Sequence, residues 1–192
     1  LKYYYPVEFM AALMSSVIDN SAKVSEYILV ARSMGIEMLP PDVNEGNAIF
    51  SVSGEAIRYG LLAIKSVGRN VIDAIVEERE RGGKFLDIGD FINRNGDVLN
   101  KRAIENFIKA GACDRLGGNR RQYMSVYNQI VDKLADEKKK GVEGQLSLFD
   151  IVDDDMKEDF EIRLPDIEEY DKETLLGFEK EILGIYVSGH PM

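Results

Sequence analysis

The 192 residues are 45% hydrophobic and 30% charged, with a formal net charge of −10, proportions of an ordinary soluble chain of one or two domains. No 18-residue apolar run and no basic-then-apolar leader occurs, which argues against a membrane span or a signal peptide within these residues. One cysteine, Cys113, and one histidine, His190, leave no internal disulfide, no zinc set and no Ser/His/Asp or Cys/His pair; together these fit a cytoplasmic protein.

In chain order, Pro6 fits the first turn of a helix whose apolar positions Phe9, Met10, Leu13 and Val17 recur at helical spacing up to Asp19-Asn20. A second helix follows, with Ser21 as its cap, Val24, Tyr27, Ile28 and Ala31 as its buried stripe, and Gly35 as its end. Pro40-Pro41 forbids helix. Residues 49–52 and 56–59, separated by Ser53-Gly54, read as a short β-hairpin, the one convincing strand signal. From Gly60 the pattern is helical with tight, glycine-bearing joints: a helix with Leu61, Leu62, Ala63 and Ile64, a turn at Ser66-Val67-Gly68, and a helix over 71–79.

The arrangement recurs more loosely as a helix over 101–109 with Ile104, Phe107 and Ile108, a joint at Ala110-Gly111-Ala112, and a helix over 120–139. Between these two units lie Gly82-Gly83 and a short segment whose Phe85, Ile88 and Phe91 are suited to plug the groove between them. Residues 141–171 are acidic and aperiodic, as expected of a solvated linker. A last helix over 172–183 leads into Gly184-Ile185-Tyr186-Val187, a candidate strand start. The opening on Leu1, within a helical pattern, and the close on His190-Pro191-Met192 without a tapering tail read as a fragment.

Charge is unevenly distributed. Residues 58–121 hold 13 Lys and Arg against 9 Asp and Glu, net +4, whereas 141–181 hold 4 against 15, net −11. The basic block is therefore the candidate phosphate-facing surface. Within it, Leu61 through Ile75 resembles the helix-hairpin-helix motif of DNA polymerases, ligases and repair proteins. A small residue and a glycine let the backbone turn close to a phosphate, with helix-start amides and the positive end of a helix dipole behind the turn. Such contacts hold the duplex and read no sequence. The candidate DNA-binding residues are Lys65, Ser66, Val67, Gly68 and Arg69, with Arg120 and Arg121 at the start of the later helix. Ser66 stands where the motif usually has glycine, and an ordinary helical corner is the plain alternative. The second joint is a less typical hairpin that reads as scaffolding. Cys113 reads as a small buried hydrophobe, and Asp153-Asp154-Asp155 as solvated carboxylates rather than a magnesium site.

The other candidate site is Gln145-Leu146-Ser147-Leu148-Phe149, an apolar knot in the most acidic stretch. It resembles the short motif by which bacterial replication proteins dock on the sliding clamp, matching at all five positions. A segment with no amphipathic face of its own is suited to another protein's pocket; folding back as a cap on the helical unit is the alternative.

Several segments in order, Leu1 to Leu13, Leu39-Pro40-Pro41-Asp42-Val43-Asn44, Arg58-Tyr59-Gly60-Leu61, Asn100-Lys101-Arg102 through Gly111-Ala112, Gln145 to Phe149, and Leu183 to Pro191, resemble α subunits of bacterial DNA polymerase III. The resemblance implies a mainly α chain. Residues 1–57 would end the fingers region, a helical segment with a short β-hairpin, and 58–140 would form a tandem helix-hairpin-helix domain. Residues 141–171 would be an acidic linker with the clamp-binding motif, and 172–192 a lead-in to an OB-fold domain. It further implies duplex DNA, the sliding clamp (β subunit) and the rest of the α subunit and holoenzyme as partners, with no membrane. The catalytic aspartates and their Mg²⁺ would lie in a palm domain outside this piece, which itself needs no cofactor. The competing readings are a free-standing helix-hairpin-helix DNA-binding or repair module without clamp contact, and a purely structural interaction domain.

Overall fold

The chain, seen in a computed structural model that describes residues 4–143 and 163–187, is mainly helical around a small three-stranded sheet. Pro6 occupies the first turn of α1 (Pro6–Ser16), where a missing N–H leaves no gap in the helical ladder. The buried face of α1 is Met10, Ala11 and Met14; Phe9, Leu13 and Val17 pack only at its margin, so the expected stripe is rotated by about one position. α2 (Ser21–Ser33) is capped by Asn20 rather than Ser21. Asn20 is still extended, and its side chain accepts from the Lys23 amide at 3.2 Å, whereas Ser21 has already entered the helix. Val24, Ile28 and Ala31 are buried and Tyr27 is half-buried.

The expected hairpin is present as β2 (Ser51–Ser53) antiparallel to β3 (Ala56–Arg58), with Val52 opposite Ile57. A third strand, β1 (Met38–Leu39), runs parallel to β3 on its other side. Two residues ahead of Pro40-Pro41 carry no alternation to detect, and a proline without an N–H ends the ladder there.

Leu61–Ala63 is a single 3₁₀ turn, not the expected helix. The Leu61 and Leu62 amides donate to the carbonyls of Asn47 and Ala48 instead of building a ladder, and Leu61 and Ile64 both turn into the core. α3 (Arg69–Gly82) follows the turn. α4 (Ile88–Arg94), capped by Asp87, buries Phe85, Ile88 and Phe91, and the Phe91 ring meets Phe85 and Phe107 edge-on at 5.2 and 5.6 Å between centroids. Arg94 staples this segment to α3: its guanidinium donates to the carbonyls of Glu78 and Gly83 and lies 4.5 Å from the Phe85 ring centroid. A β-carbon at Gly82 would collide with that guanidinium, which accounts for glycine at the joint.

α5 (Lys101–Lys109), capped by Asn100, packs on α6 (Arg120–Glu143) and α7 (Lys172–Leu183). Two expectations for the C-terminal part are corrected. Residues 163–171 are not a solvated linker: Leu164 packs on the core, and the carbonyls of Pro165 and Ile167 accept from Gln122 and Asn119. Residues 184–187 begin no strand; they form bends, with the Tyr186 carbonyl accepting from Arg32 at 2.7 Å. A continuous core of buried side chains runs from Met10 to Ile185, so the segments on either side of residue 57 share one interior. No helix among the described residues is long and apolar enough to cross a membrane.

Candidate nucleic-acid interface

Lys65 and Ser66 form the turn between the 3₁₀ segment and α3, and Ser66 has φ +61°, the one positive φ outside glycine among the described residues. That is the conformation for which glycine is ordinarily selected at a turn. The departure noted in the sequence is thus a serine held in a glycine's backbone geometry. Lys65, Ser66, Gly68 and Arg69 are exposed, while Val67 points inward and anchors the loop. α3 starts with no side-chain cap and no acidic residue in its first turn. The amides of Val71 and Ile72 reach back to the Gly68 carbonyl, while those of Gly68, Arg69 and Asn70 donate to no acceptor among the described residues. These three N–H groups, left without an acceptor among the described residues, stand at the positive end of a 14-residue helix, an arrangement able to take an anion. At Gly68, φ −77° suits any residue and an added β-carbon would meet nothing within 4 Å, so the chain's own packing does not require glycine there.

The second helix start is built differently. Asn119 Oδ1 accepts from the Gln122 amide at 2.8 Å and Gln122 Oε1 accepts from the Asn119 amide at 2.9 Å, a reciprocal capping pair. The Glu169 carboxylate then accepts from the two remaining amides, Arg120 at 2.9 Å and Arg121 at 3.1 Å. The start of α6 is therefore saturated from within the chain.

Arg120 does not face solvent, which corrects its assignment as a DNA contact: it is 4% exposed. Its guanidinium is paired with Asp114 at 2.9 Å and lies 3.8 Å from Glu179, which is fully buried, and it donates to the Lys109 carbonyl. Burial works against its charge, and the Asp114, Glu179 and Glu169 carboxylates more than offset this, leaving its pKa above the ordinary value. Gly111, at φ +85°, lies under the guanidinium where a β-carbon would clash. Arg121 is exposed, its guanidinium carbon 6.0 Å from the Tyr170 ring centroid.

Other cations of the basic block are likewise engaged internally. Arg58, 8% exposed, donates to the Pro40 carbonyl. Arg79 donates to the carbonyls of Val43 and Gly46. Lys109 pairs with Glu105, whose carboxyl is held below its usual range chiefly by that hydrogen bond. Lys65 and Arg69, like the exposed Arg102 and Arg121, form no ion pair among the described residues, so the first turn carries two cations free to face an anion. Cys113 is fully buried and burial pushes its thiol pKa well up, in keeping with a packing role.

Gln145, Leu146, Ser147, Leu148 and Phe149 lie outside the described residues. Among the described residues no group of three or more His, Cys, Asp or Glu is placed to hold a metal ion. Sequence reading missed two participants. Asn106, 7% exposed on the apolar face of α5, donates to the Lys65 carbonyl at 2.7 Å; a lone amide among Ala103, Ile104, Phe107 and Ile108 was its only signal. Glu169 gave no signal, because nothing in an aperiodic acidic stretch marks which carboxylate meets a distant helix start.

A family described as the helix-hairpin-helix motif matches residues 35–123. Over its whole length the chain is 46% identical to the DNA polymerase III subunit alpha of Thermus aquaticus, 42% to that of Mycobacterium tuberculosis (strain CDC 1551 / Oshkosh) and 40% to that of Borreliella burgdorferi. The chain spans 15% to 17% of the length of these relatives.

Proposed function

We propose, from a likeness to DNA polymerase III α subunits that covers this chain from end to end, that it is the part of such a replicative polymerase that grips duplex DNA through backbone phosphates and docks on the sliding clamp. The observation that carries the DNA half is the open amide row at Gly68, Arg69 and Asn70, flanked by the exposed Lys65 and Arg69. Phosphate oxygens accept from those amides, the two cations add long-range attraction, and no base edge is read. Ser66 and Val67 shape the turn. Arg121, exposed beside Tyr170, is the one member of the arginine pair that reaches a neighbouring phosphate.

The clamp half rests on the Gln145 to Phe149 sequence, whose glutamine and three apolar side chains suit a partner's pocket. Two modest contacts joined on one chain raise the effective concentration of the polymerase at the primer end. In this reading the parent protein is a DNA-directed DNA polymerase of the cytoplasm whose nucleotidyl-transfer residues and Mg²⁺ belong to another part of it.

Gly68→Ala tests the phosphate contact without disturbing the fold. A poorer cap and a stiffer unfolded chain offset each other to within about 1 kcal/mol, so the melting temperature holds. A methyl group in the phosphate's approach lowers affinity for a duplex roughly tenfold, the worth of one charge-assisted hydrogen bond. Fluorescence anisotropy with a labelled duplex at low salt measures it; undiminished affinity in Gly68→Ala, or salt-insensitive binding by the native chain, overturns the phosphate role.

A further inference from the structure

The backbone of Lys65, immediately ahead of the left-handed Ser66, is pinned from both sides by elements remote in sequence. Its carbonyl accepts from Asn106 Nδ2 of α5 at 2.7 Å, and its amide donates to the Ile182 carbonyl at the end of α7 at 3.2 Å. α5 belongs to the second helical unit and α7 follows the acidic segment, so each pin reaches the first turn from a different part of the chain. A non-glycine residue in the left-handed region is disfavoured and persists where its surroundings over-determine it. Asn106 is nearly buried on an otherwise apolar face, a costly place for an amide unless its hydrogen bond does something a hydrophobe could not.

We infer that Asn106 is a positioning residue for the phosphate-facing turn: by fixing the Lys65 carbonyl, it holds Ser66 in the left-handed conformation that aims the Gly68 to Asn70 amides outward. The inference deepens the proposed DNA-gripping reading and rests on it. A second helical unit thereby sets the geometry of the first, which explains why one turn can dispense with the usual glycine. In a chain with glycine at position 66 the pin becomes dispensable, because glycine adopts the same φ without assistance.

The test is a four-way comparison of the whole chain: native, Asn106→Ala, Ser66→Gly and the double variant. Two quantities are read, the amide-to-α-proton coupling constant of residue 66 in the free chain, which reports φ, and the affinity for a labelled duplex across a salt series. Asn106→Ala is expected to shift the coupling constant and weaken duplex binding about fivefold, the worth of one hydrogen bond. The salt slope stays unchanged, since no charge is removed. Ser66→Gly in the Asn106→Ala background is expected to restore affinity to within about twofold of native. A coupling constant untouched by Asn106→Ala, or a loss of affinity that Ser66→Gly fails to restore, overturns the inference. Should Asn106→Ala not fold, Asn106→Gln, which keeps the amide and displaces it by one methylene, takes its place in the same comparison and is judged by the same outcomes. Absence of duplex binding by the native chain at low salt would instead refute the phosphate reading and leave the free-chain coupling constant to decide the role of Asn106.

Discussion

Arg120 opens a helix beside a second arginine, a sequence that on most surfaces means a solvated pair, yet folding carries it inward against Asp114 and Glu179. The difference arises from Asp114, paired with it at 2.9 Å, together with Glu179, 59 residues further along, whose carboxylate is fully buried. Replacing Arg120 with alanine takes away a cation from beside that carboxylate and the donor to the Lys109 carbonyl, so urea denaturation should show a loss of about 3 kcal/mol. Arg120→Lys, which keeps charge but not the planar fork, should fall between the two. Arg58, Arg79 and Arg94 repeat the lesson: each ends on carbonyl oxygens of a distant loop or joint. A net charge of +4 over residues 58–121 was legible in the sequence; which of those cations remain outside was not, because some partners are backbone carbonyls with no signature of their own and the carboxylates among them, such as Asp114, Glu179 and Glu78, read in sequence like any surface acid.

At the scale of elements, the two helix starts that resemble each other in sequence have opposite states. α3 begins on a bare glycine with its first amides outward, while α6 begins on Asn119, Gln122 and the Glu169 carboxylate with every early amide met. Glu169→Ala should cost about 1 kcal/mol of stability, the usual worth of a cap, and should speed hydrogen exchange at the Arg120 and Arg121 amides; exchange at those two amides unchanged from native would show that the carboxylate does not protect them. The long helices, their glycine ends and the hairpin were readable because apolar period and turn residues are local. β1, the 3₁₀ turn and the docked 163–171 segment were not, since each is made by hydrogen bonds to carbonyls or amides elsewhere: the Leu61 amide to Asn47, the Gln122 amide group to Pro165. Composition alone marks 163–171 as solvated, and only the Gly118, Tyr123 and Asn119 surface it lands on says otherwise.

For the molecule as a whole, the interior is continuous from α1 to the residue after Gly184, with the Leu183 carbonyl accepting from the Tyr59 hydroxyl at 3.1 Å across the middle of it. Residues 163–171 pack back on this body after α6, and Gln145 to Phe149 fall between the two in sequence. The chain should bind a purified bacterial sliding clamp at roughly micromolar strength, near −8 kcal/mol, and Leu148→Ala with Phe149→Ala should abolish that binding; calorimetry that finds equal affinity in the double variant removes the motif from the mechanism. Glu169, seated on α6, carries a mechanical corollary for how these two contacts cooperate. Its carboxylate already fills the α6 helix start, so in the proposed reading the backbone amides hold a duplex at one turn among the described residues, with only the Arg121 side chain beside it, and the duplex can swivel about that turn. In the proposed reading heading then comes from a second body, and a clamp ring threaded on the same duplex would be the one to impose it.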